Sequence, residues 1–99
     1  MEIISNNNGS ITTLSLKGRL DTVTSPDLEK AVSEAMASSE TVELDFAGIV
    51  YVSSAGLRVL LQGEKAAKSA GKRMVLKNVS TDVTEVFEIT GFSDILNIV

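Results

Sequence analysis

Two adjacent serines, Ser53 and Ser54, stand where an apolar segment gives way to a helical pattern, and the small residues Ala55 and Gly56 follow them. A serine hydroxyl at a helix start can cap the helix by accepting a hydrogen bond from an unpaired backbone N–H. It can instead accept a phosphoryl group, because phosphate at that place meets free N–H groups and the positive end of the helix dipole. One cap needs one serine, so the second hydroxyl, beside the small residues Ala55 and Gly56, is available to hold a phosphate.

No set of side chains in the sequence indicates a catalytic site. The chain has no Cys and no His, which removes thiolate and imidazole nucleophiles, bases and metal ligands. Neither of the glycine-rich motifs that cradle nucleotide phosphates occurs. Asp45 follows a strand pattern, but the acidic pair that a phosphoaspartate receiver needs is missing. We expect no catalytic residues, no metal site and no cofactor.

Three charged residues near these segments have a structural interpretation, and two of them also have a functional one. Asp21 either forms a turn or shapes the loop beside Ser54 and marks a partner surface. Asp45 is expected to cap a turn at Ala47-Gly48, within reach of a phosphate on Ser54. Arg58, one helical turn after the serines, either faces solvent or contacts a phosphate or a partner.

Composition narrows the class of protein. The 99 residues are 43% hydrophobic and 22% charged, which indicates one folded domain over residues 1–99 with a real core. The net charge of −4 has the wrong sign for a protein that binds phosphate backbones, so no nucleic acid partner is expected. No apolar run approaches the ~20 residues of a membrane helix, and the first residues lack the basic region and the apolar stretch of a signal peptide. We expect a cytoplasmic protein that does not insert directly into a membrane.

Periodicity and capping signals predict alternating strands and helices. Asn8-Gly9 predicts a tight hairpin turn with positive φ at both central positions, and Thr24-Ser25-Pro26-Asp27 predicts a helix with a hydroxyl N-cap. Gly71 and Gly91 are expected to end helices. The predicted elements are strands at 2–5, 11–16, 41–46, 73–77 and 95–99, and helices to about Ser38, from the serines to about Ala70, and from Ser80 to Thr90.

The order β-β-α-β-α-β-α-β predicts an α/β sandwich with a mixed, mostly parallel sheet and an antiparallel hairpin strand at its edge. The loops that leave the carboxyl ends of parallel strands meet at one end of such a sheet. Two loops are predicted there, residues 18–22 after the second strand and 51–57 before the long helix. The predicted site lies where they meet.

The residues of these two loops resemble those of a known family. Gly18-x-Leu20-Asp21 after a strand, then Asp45-Phe46 and a loop ending in Ser53-Ser54-Ala55-Gly56-Leu57, is similar to the STAS domain of bacterial anti-sigma factor antagonists. The resemblance covers essentially the whole chain. It implies the same α/β fold that the periodicity predicts.

The resemblance also implies a function. Proteins of this family are substrates of an enzyme: an anti-sigma factor that is a serine-protein kinase phosphorylates a serine at the start of the second helix, and the phosphorylated form no longer binds the kinase. A serine phosphatase restores the hydroxyl. The unmodified protein binds the kinase, which then releases its sigma factor. The partner supplies Mg²⁺, nucleotide and base, while the acceptor supplies a positioned hydroxyl.

The resemblance places the acceptor at Ser54, with Ser53 as the N-cap and the second choice. The chain departs from the family's commonest motif, Asp-Ser-Ser-Gly-Leu, because Ala55 stands where the acceptor serine usually precedes Gly. This leaves an alternative open: a STAS domain that docks without phosphorylation, for instance as a subunit of a membrane transporter complex. Gly56 is expected to let the backbone of a partner approach closely. The residues expected to contact the partner are Asp21, Thr22, Thr24, Ser53, Ser54, Ala55, Gly56, Leu57 and Arg58.

Overall fold

The computed structural model describes all residues from 1 to 99 and contains one mixed sheet with helices packed on it. The four strands are β1 (Glu2–Asn8), β2 (Ile11–Leu20), β3 (Thr41–Val52) and β4 (Arg73–Lys77). The three α-helices are α1 (Ser25–Ser38), α2 (Ser54–Ser69) and α3 (Thr81–Thr90), and a short 3₁₀ helix spans Phe92–Asp94. Every predicted helix is present, and none of them is long and apolar enough to cross a membrane.

The sheet has the strand order β1-β2-β3-β4, with β1 antiparallel to β2 and the other pairs parallel. Right-handed crossovers through α1 and α2 in the same direction along the sheet place both helices on one face. Alternate residues of β3 behave as predicted: Val42, Leu44 and Phe46 are buried in the core. On the opposite face the Glu43 carboxylate accepts a hydrogen bond from Thr13 Oγ1 at 2.9 Å and pairs with Lys77 Nζ at 3.3 Å.

The helices bury most of the predicted apolar stripes, but in α2 Leu61 is only half-buried and Ala70 is exposed. In α1, Leu28, Val32, Ala35 and Met36 are buried and Ala31 packs against the core. In α2, Ala70 is exposed and forms the C-cap, whereas the inward face includes Val59, Gly63 and Glu64. In α3, Phe87 packs on Phe46 with ring centroids 6.3 Å apart. The three helices therefore share one core.

Contrary to the prediction, strand β3 does not end at Ala47-Gly48 but runs to Val52. Its register shifts against β2 at two places, so that the pairs Ser15–Asp45 and Leu20–Val52 are separated by five residues of β2 and seven of β3. Such extra residues are β-bulges, which bend a strand and increase its twist. A pair of small residues such as Ala47-Gly48 is compatible with a bulge as well as with a strand end, so the residue types alone do not distinguish the two.

Strand β2 is longer than predicted for the same reason. Gly18, Arg19 and Leu20 are not a loop but the last residues of the strand, paired with the bulged half of β3. Gly18 has φ +115°, a backbone conformation that favours glycine. The loop before α1 is thereby reduced to residues 21–24, and it begins at the same level of the sheet as Ser53.

Two predictions at the chain's ends need correction. In the hairpin, Asn8 pairs with Ile11, so the central turn residues are Gly9 and Ser10, and only Gly9 has positive φ, at +67°. At the other end, residues 95–99 do not form a full strand. A single parallel bridge joins Ile98 to Leu76. The N–H groups of Ile95 and Leu96 instead donate to the Phe92 carbonyl, at 3.0 and 2.8 Å, which continues the turn after the 3₁₀ helix.

Candidate functional site

The start of α2 is held against the end of β2 by Ser53. Its backbone is extended, with φ −93° and ψ 175°, and its Oγ accepts a hydrogen bond from the Gly56 N–H at 3.4 Å. The Ser53 N–H donates to the Leu20 carbonyl at 2.9 Å, and the Ser53 carbonyl accepts from Leu57 N–H at 2.9 Å. The prediction that Ser53 caps α2 is confirmed.

Ser54 is the first residue of α2 and its side chain is exposed. Unlike the Ser53 hydroxyl, the Ser54 hydroxyl has no hydrogen bond to another protein group. The amides of Ser54 and Ala55 lie in the first turn, where a helix offers no backbone acceptor. A hydroxyl at this position is accessible and takes no part in holding the fold.

Gly56 and Leu57 do not lie on the surface, contrary to expectation. Leu57 is a core residue, and Gly56 is buried against the side chain of Leu20. A Cβ atom added at Gly56 would lie 2.6 Å from Leu20 Cγ and 3.1 Å from the Leu20 carbonyl oxygen. The close approach that Gly56 permits is therefore internal, between α2 and β2, and a partner cannot use it.

Asp21 forms the turn between β2 and α1, which confirms the first of its two interpretations. Its Oδ1 accepts hydrogen bonds from the N–H groups of Val23 at 3.0 Å and Thr24 at 3.1 Å. These backbone donors, that of Thr24 first, hold the pKa of the Asp21 carboxyl below its usual value. The turn is therefore strongest when the carboxyl is ionised.

Contrary to the prediction, Thr24 does not cap α1 with its hydroxyl. Its backbone is already helical, at φ −92° and ψ −19°. Its Oγ1 donates to the Arg19 carbonyl at 2.7 Å and accepts from Asp21 N–H at 2.9 Å. The hydroxyl closes the loop across the end of β2 instead, so that the loop before α1 is rigid.

Three exposed apolar side chains near this end of the sheet were not predicted from the sequence. Val23 is 82% exposed at the tip of the Asp21 turn, and Val50 and Tyr51 are 71% and 42% exposed at the bulged end of β3. The Arg19 guanidinium lies over the Tyr51 ring, 4.2 Å from its centroid, and its Nε is 3.8 Å from Asp21 Oδ2. The signal in the sequence that could have indicated this exposed apolar surface is Val23, an isolated valine inside a polar turn.

Arg58 lies one turn after Ser54, is exposed and forms no ion pair within the chain. Together with Thr22 and Ala55 it lines a shallow cleft of about 300 Å³ between the first turns of α1 and α2. Three of the predicted contact residues are thus brought together on one surface.

Asp45 belongs to a different part of the molecule. Its Oδ1 accepts from Ala47 N–H at 3.0 Å and from Asn78 Nδ2 at 3.1 Å, which lowers the pKa of its carboxyl. The prediction that Asp45 stabilises the backbone at Ala47 is confirmed, although the feature is a bulge. Seven residues of strand separate it from Val52, on the order of 20 Å, so it is not within reach of Ser54. No three acidic side chains cluster in a way that could hold a metal ion.

The chain matches known proteins over nearly its whole length. A family model described as Mlab, STAS domain, matches residues 5–98. Over 81 residues the chain is 36% identical to BtrV of Bordetella bronchiseptica, a candidate anti-sigma factor antagonist, covering 81% of this chain and 70% of BtrV. Over 82 residues it is 29% identical to the anti-sigma-B factor antagonist of Staphylococcus epidermidis, covering 82% of this chain and 76% of that protein.

Solved structures show the same fold. The anti-sigma factor antagonist SpoIIAA in its unphosphorylated form superposes with a TM-score of 0.82 at 19% identity, over 99% of this chain and 88% of that one. The Bacillus protein SpoIIAA in its phosphorylated form gives a TM-score of 0.76 at 18% identity, over 99% of this chain and 91% of that one. The predicted α/β fold is therefore confirmed.

Proposed function

This chain belongs to the STAS domain family, and we propose that it is an anti-sigma factor antagonist controlled by phosphorylation of Ser54. Its unphosphorylated form binds an anti-sigma factor that is also a serine-protein kinase, and the kinase then releases its sigma factor. Phosphorylation ends the binding, and a serine phosphatase restores it. The chain is a substrate and regulator in the cytoplasm, not an enzyme.

The free hydroxyl of Ser54 carries this proposal. It is exposed, lies at the start of α2 and has no hydrogen bond to another protein group, whereas the Ser53 Oγ accepts from Gly56 N–H. A kinase active site needs a hydroxyl that it can approach in line and deprotonate. Modification of Ser53 would remove the helix cap, but modification of Ser54 removes no contact that the fold uses.

The kinase docks on the surface around Ser54 formed by Thr22, Val23, Val50, Tyr51 and Arg58, hereafter the docking edge. Exposed aromatic and aliphatic side chains beside a rigid backbone are typical anchors of protein interfaces. Arg19 and Asp21 hold two of these anchors, since the Arg19 guanidinium stacks on Tyr51 and the Asp21 carboxylate fixes the Val23 turn. The docking edge is therefore formed before the partner arrives.

Phosphate on Ser54 weakens this complex by electrostatics. It adds a charge of about −1.5 to −2 to a chain whose net charge is −4. In the free domain the dianion stays hydrated, and the helix dipole stabilises it by ~0.3–1 kcal/mol. In the interface it loses water and faces the group that had held the hydroxyl, and each 1.4 kcal/mol of penalty lowers the affinity about tenfold.

Phosphopeptide mapping after incubation with candidate serine kinases of the same cell tests the acceptor. We expect labelling of wild type and of Ser53→Ala, and none of Ser54→Ala, whose fold is unaltered. If Ser54→Ala is labelled and Ser53→Ala is not, the acceptor is Ser53 and the proposal names the wrong hydroxyl. The phosphoprotein should bind the kinase more weakly than the free form, while its own amide NMR spectrum changes only near Ser54. Equal affinity, or shifts spread over the sheet, would contradict the electrostatic switch.

The second candidate function is a docking subunit that is never phosphorylated, for instance in a membrane transporter complex. Ala55 favours it, because the family's commonest motif has its acceptor serine at this position. Partner binding by wild type and Ser54→Asp, together with kinase labelling, distinguishes the two functions. A docking subunit binds its partner equally well as wild type and as Ser54→Asp, and no kinase of the cell labels it.

A further inference from the structure

Strand β1 forms one edge of the sheet and is paired on one side only. All seven of its residues pair with β2 in one unbroken register, from Glu2–Lys17 to Asn8–Ile11. In an antiparallel ladder alternate residues direct their N–H and C=O groups away from the partner strand. The free side of β1 therefore presents a straight row of unpaired backbone donors and acceptors.

The edge lacks the features by which proteins block strand addition. Natural edge strands are protected by Lys, Pro, bulges or a covering element, but Ile3–Asn8 contain no charged residue and no Pro, and the bulges lie in β3. Helix α1 does not cover the strand, because a cleft of about 360 Å³ opens between them, lined by Ser5, Asn7 and Glu34 among others. Ile4 is 57% exposed on the opposite face.

The other edge of the sheet is covered. Leu76 of β4 donates its N–H to the Asn97 carbonyl at 2.8 Å and accepts from Val99 N–H at 3.0 Å. Residues 97–99 thus bond to the outer side of β4 at Leu76, where a further strand would add. No backbone bond of this kind is made on the outer side of β1.

We propose that a second copy of this chain pairs with β1, so that two sheets join into one of eight strands. A two-fold axis at Ser5 pairs all seven residues of β1 antiparallel with themselves and sets Ile4 opposite Asn6 of the second copy. The register opposes no like charges, since Glu2 lies opposite Asn8. Such a contact is isologous and closes at two copies. It leaves the docking edge free and does not depend on the proposed function.

A single cysteine tests the two-fold axis. Residues directly opposite in an antiparallel pair hold their Cβ atoms about 4.5–5.5 Å apart, close to the span of a disulfide. Because the chain has no Cys, Ser5→Cys carries one thiol, and so does the control Ser33→Cys on the exposed side of α1. With oxidised glutathione as the electron acceptor, we expect Ser5→Cys to form disulfide-linked dimers at least tenfold faster than the control. Equal rates would overturn the proposal.

Sedimentation equilibrium tests the edge itself. Ile4→Lys adds a charge at the centre of the seam, whereas Ile89→Lys adds the same charge at an 87% exposed site on α3. We expect wild type and Ile89→Lys to approach the mass of two chains as concentration rises, and Ile4→Lys to dissociate at least tenfold more readily. Circular dichroism verifies that both variants fold. A wild type that stays monomeric, or a dimer that Ile89→Lys disrupts and Ile4→Lys does not, would refute pairing through β1.

Discussion

Substituting Ala for Gly56 probes the junction between α2 and β2 on which the serines depend. Gly56 lies in the first turn of α2, and its N–H donates to the Ser53 Oγ. An added methyl group would lie 2.6 Å from Leu20 Cγ and 3.0 Å from Leu20 Cδ2. Leu20 is fully buried, so its side chain has little room to move away.

Two opposing effects decide the size of the change. Ala in place of Gly within a helix stabilises the fold by roughly 0.5–1 kcal/mol, because the unfolded chain loses less backbone entropy. Inserting a methyl group into a well-packed core destabilises by about 1–3 kcal/mol. The overlap at Gly56 is severe and involves the branch point of Leu20 as well as its backbone, which puts the second term at its upper end. We expect the free energy of unfolding to fall by about 2–2.5 kcal/mol.

Urea unfolding of wild type, Gly56→Ala, Leu20→Ala and the double variant measures this effect and its cause. Leu20→Ala alone should destabilise by about 2–5 kcal/mol, and the double variant by less than the sum, because the new methyl group occupies space that Leu20 vacates. Gly63→Ala is the matched control. Its added Cβ lies 2.8 Å from the sulfur of Met74, a flexible side chain that can move. A Gly56→Ala variant as stable as wild type, or additive effects in the double variant, would refute the reasoning.

Three further outcomes follow from single side chains. Ser53→Ala should lower the free energy of unfolding by about 1 kcal/mol through loss of the cap, while Ser54→Ala changes it by less than about 0.5 kcal/mol; the reverse order in urea unfolding would contradict the assignment of the cap. Because the pKa of Asp21 lies below 3.8 in the folded protein, its contribution is present above that pH and is lost as pH falls through the lowered value. The stability difference between wild type and Asp21→Asn should therefore shrink in acid, and a constant difference would exclude the carboxylate as the cause. Glu64 is buried with Oε1 unpaired, and its Oε2 lies 3.8 Å from Nζ of the exposed Lys68, so Glu64→Leu should raise the free energy of unfolding by about 1–3 kcal/mol; a lower value would show that the pair with Lys68 outweighs the cost of burying the carboxylate.

The element order and the caps could be predicted from the sequence because their signals are local. Ser80 accepts from Val83 N–H at 3.2 Å, and Gly91 has φ +79° at the end of α3, as both residue types indicate. Gly71, with φ +69°, ends α2 in the same way. Each of these features depends on residues within one helical turn, so the local sequence contains all the information.

The wrong predictions at Gly56, Thr24 and β3 come from contacts between elements. Gly56 looked like a point of approach for a partner because nothing near it in sequence shows that Leu20, from another element, lies against it. Thr24 had the right type for a cap, but the Arg19 carbonyl competes for its hydroxyl. The bulges of β3 arise from its pairing with β2. Contacts between elements decide such positions, and a single sequence does not record them.

The two adjacent serines have separate roles: Ser53 caps α2, and Ser54 is the proposed phosphate acceptor. Beside the docking edge, the Ser53 hydroxyl, the Asp21 carboxylate and the Thr24 hydroxyl all make hydrogen bonds within the chain. The Ser54 hydroxyl makes none, so a phosphate added there breaks no bond that the fold needs. Folding stability and partner affinity are thereby separated at adjacent residues. A regulator that must stay folded in both states needs this separation, because a phosphate on Ser53 would couple release of the partner to loss of the helix cap.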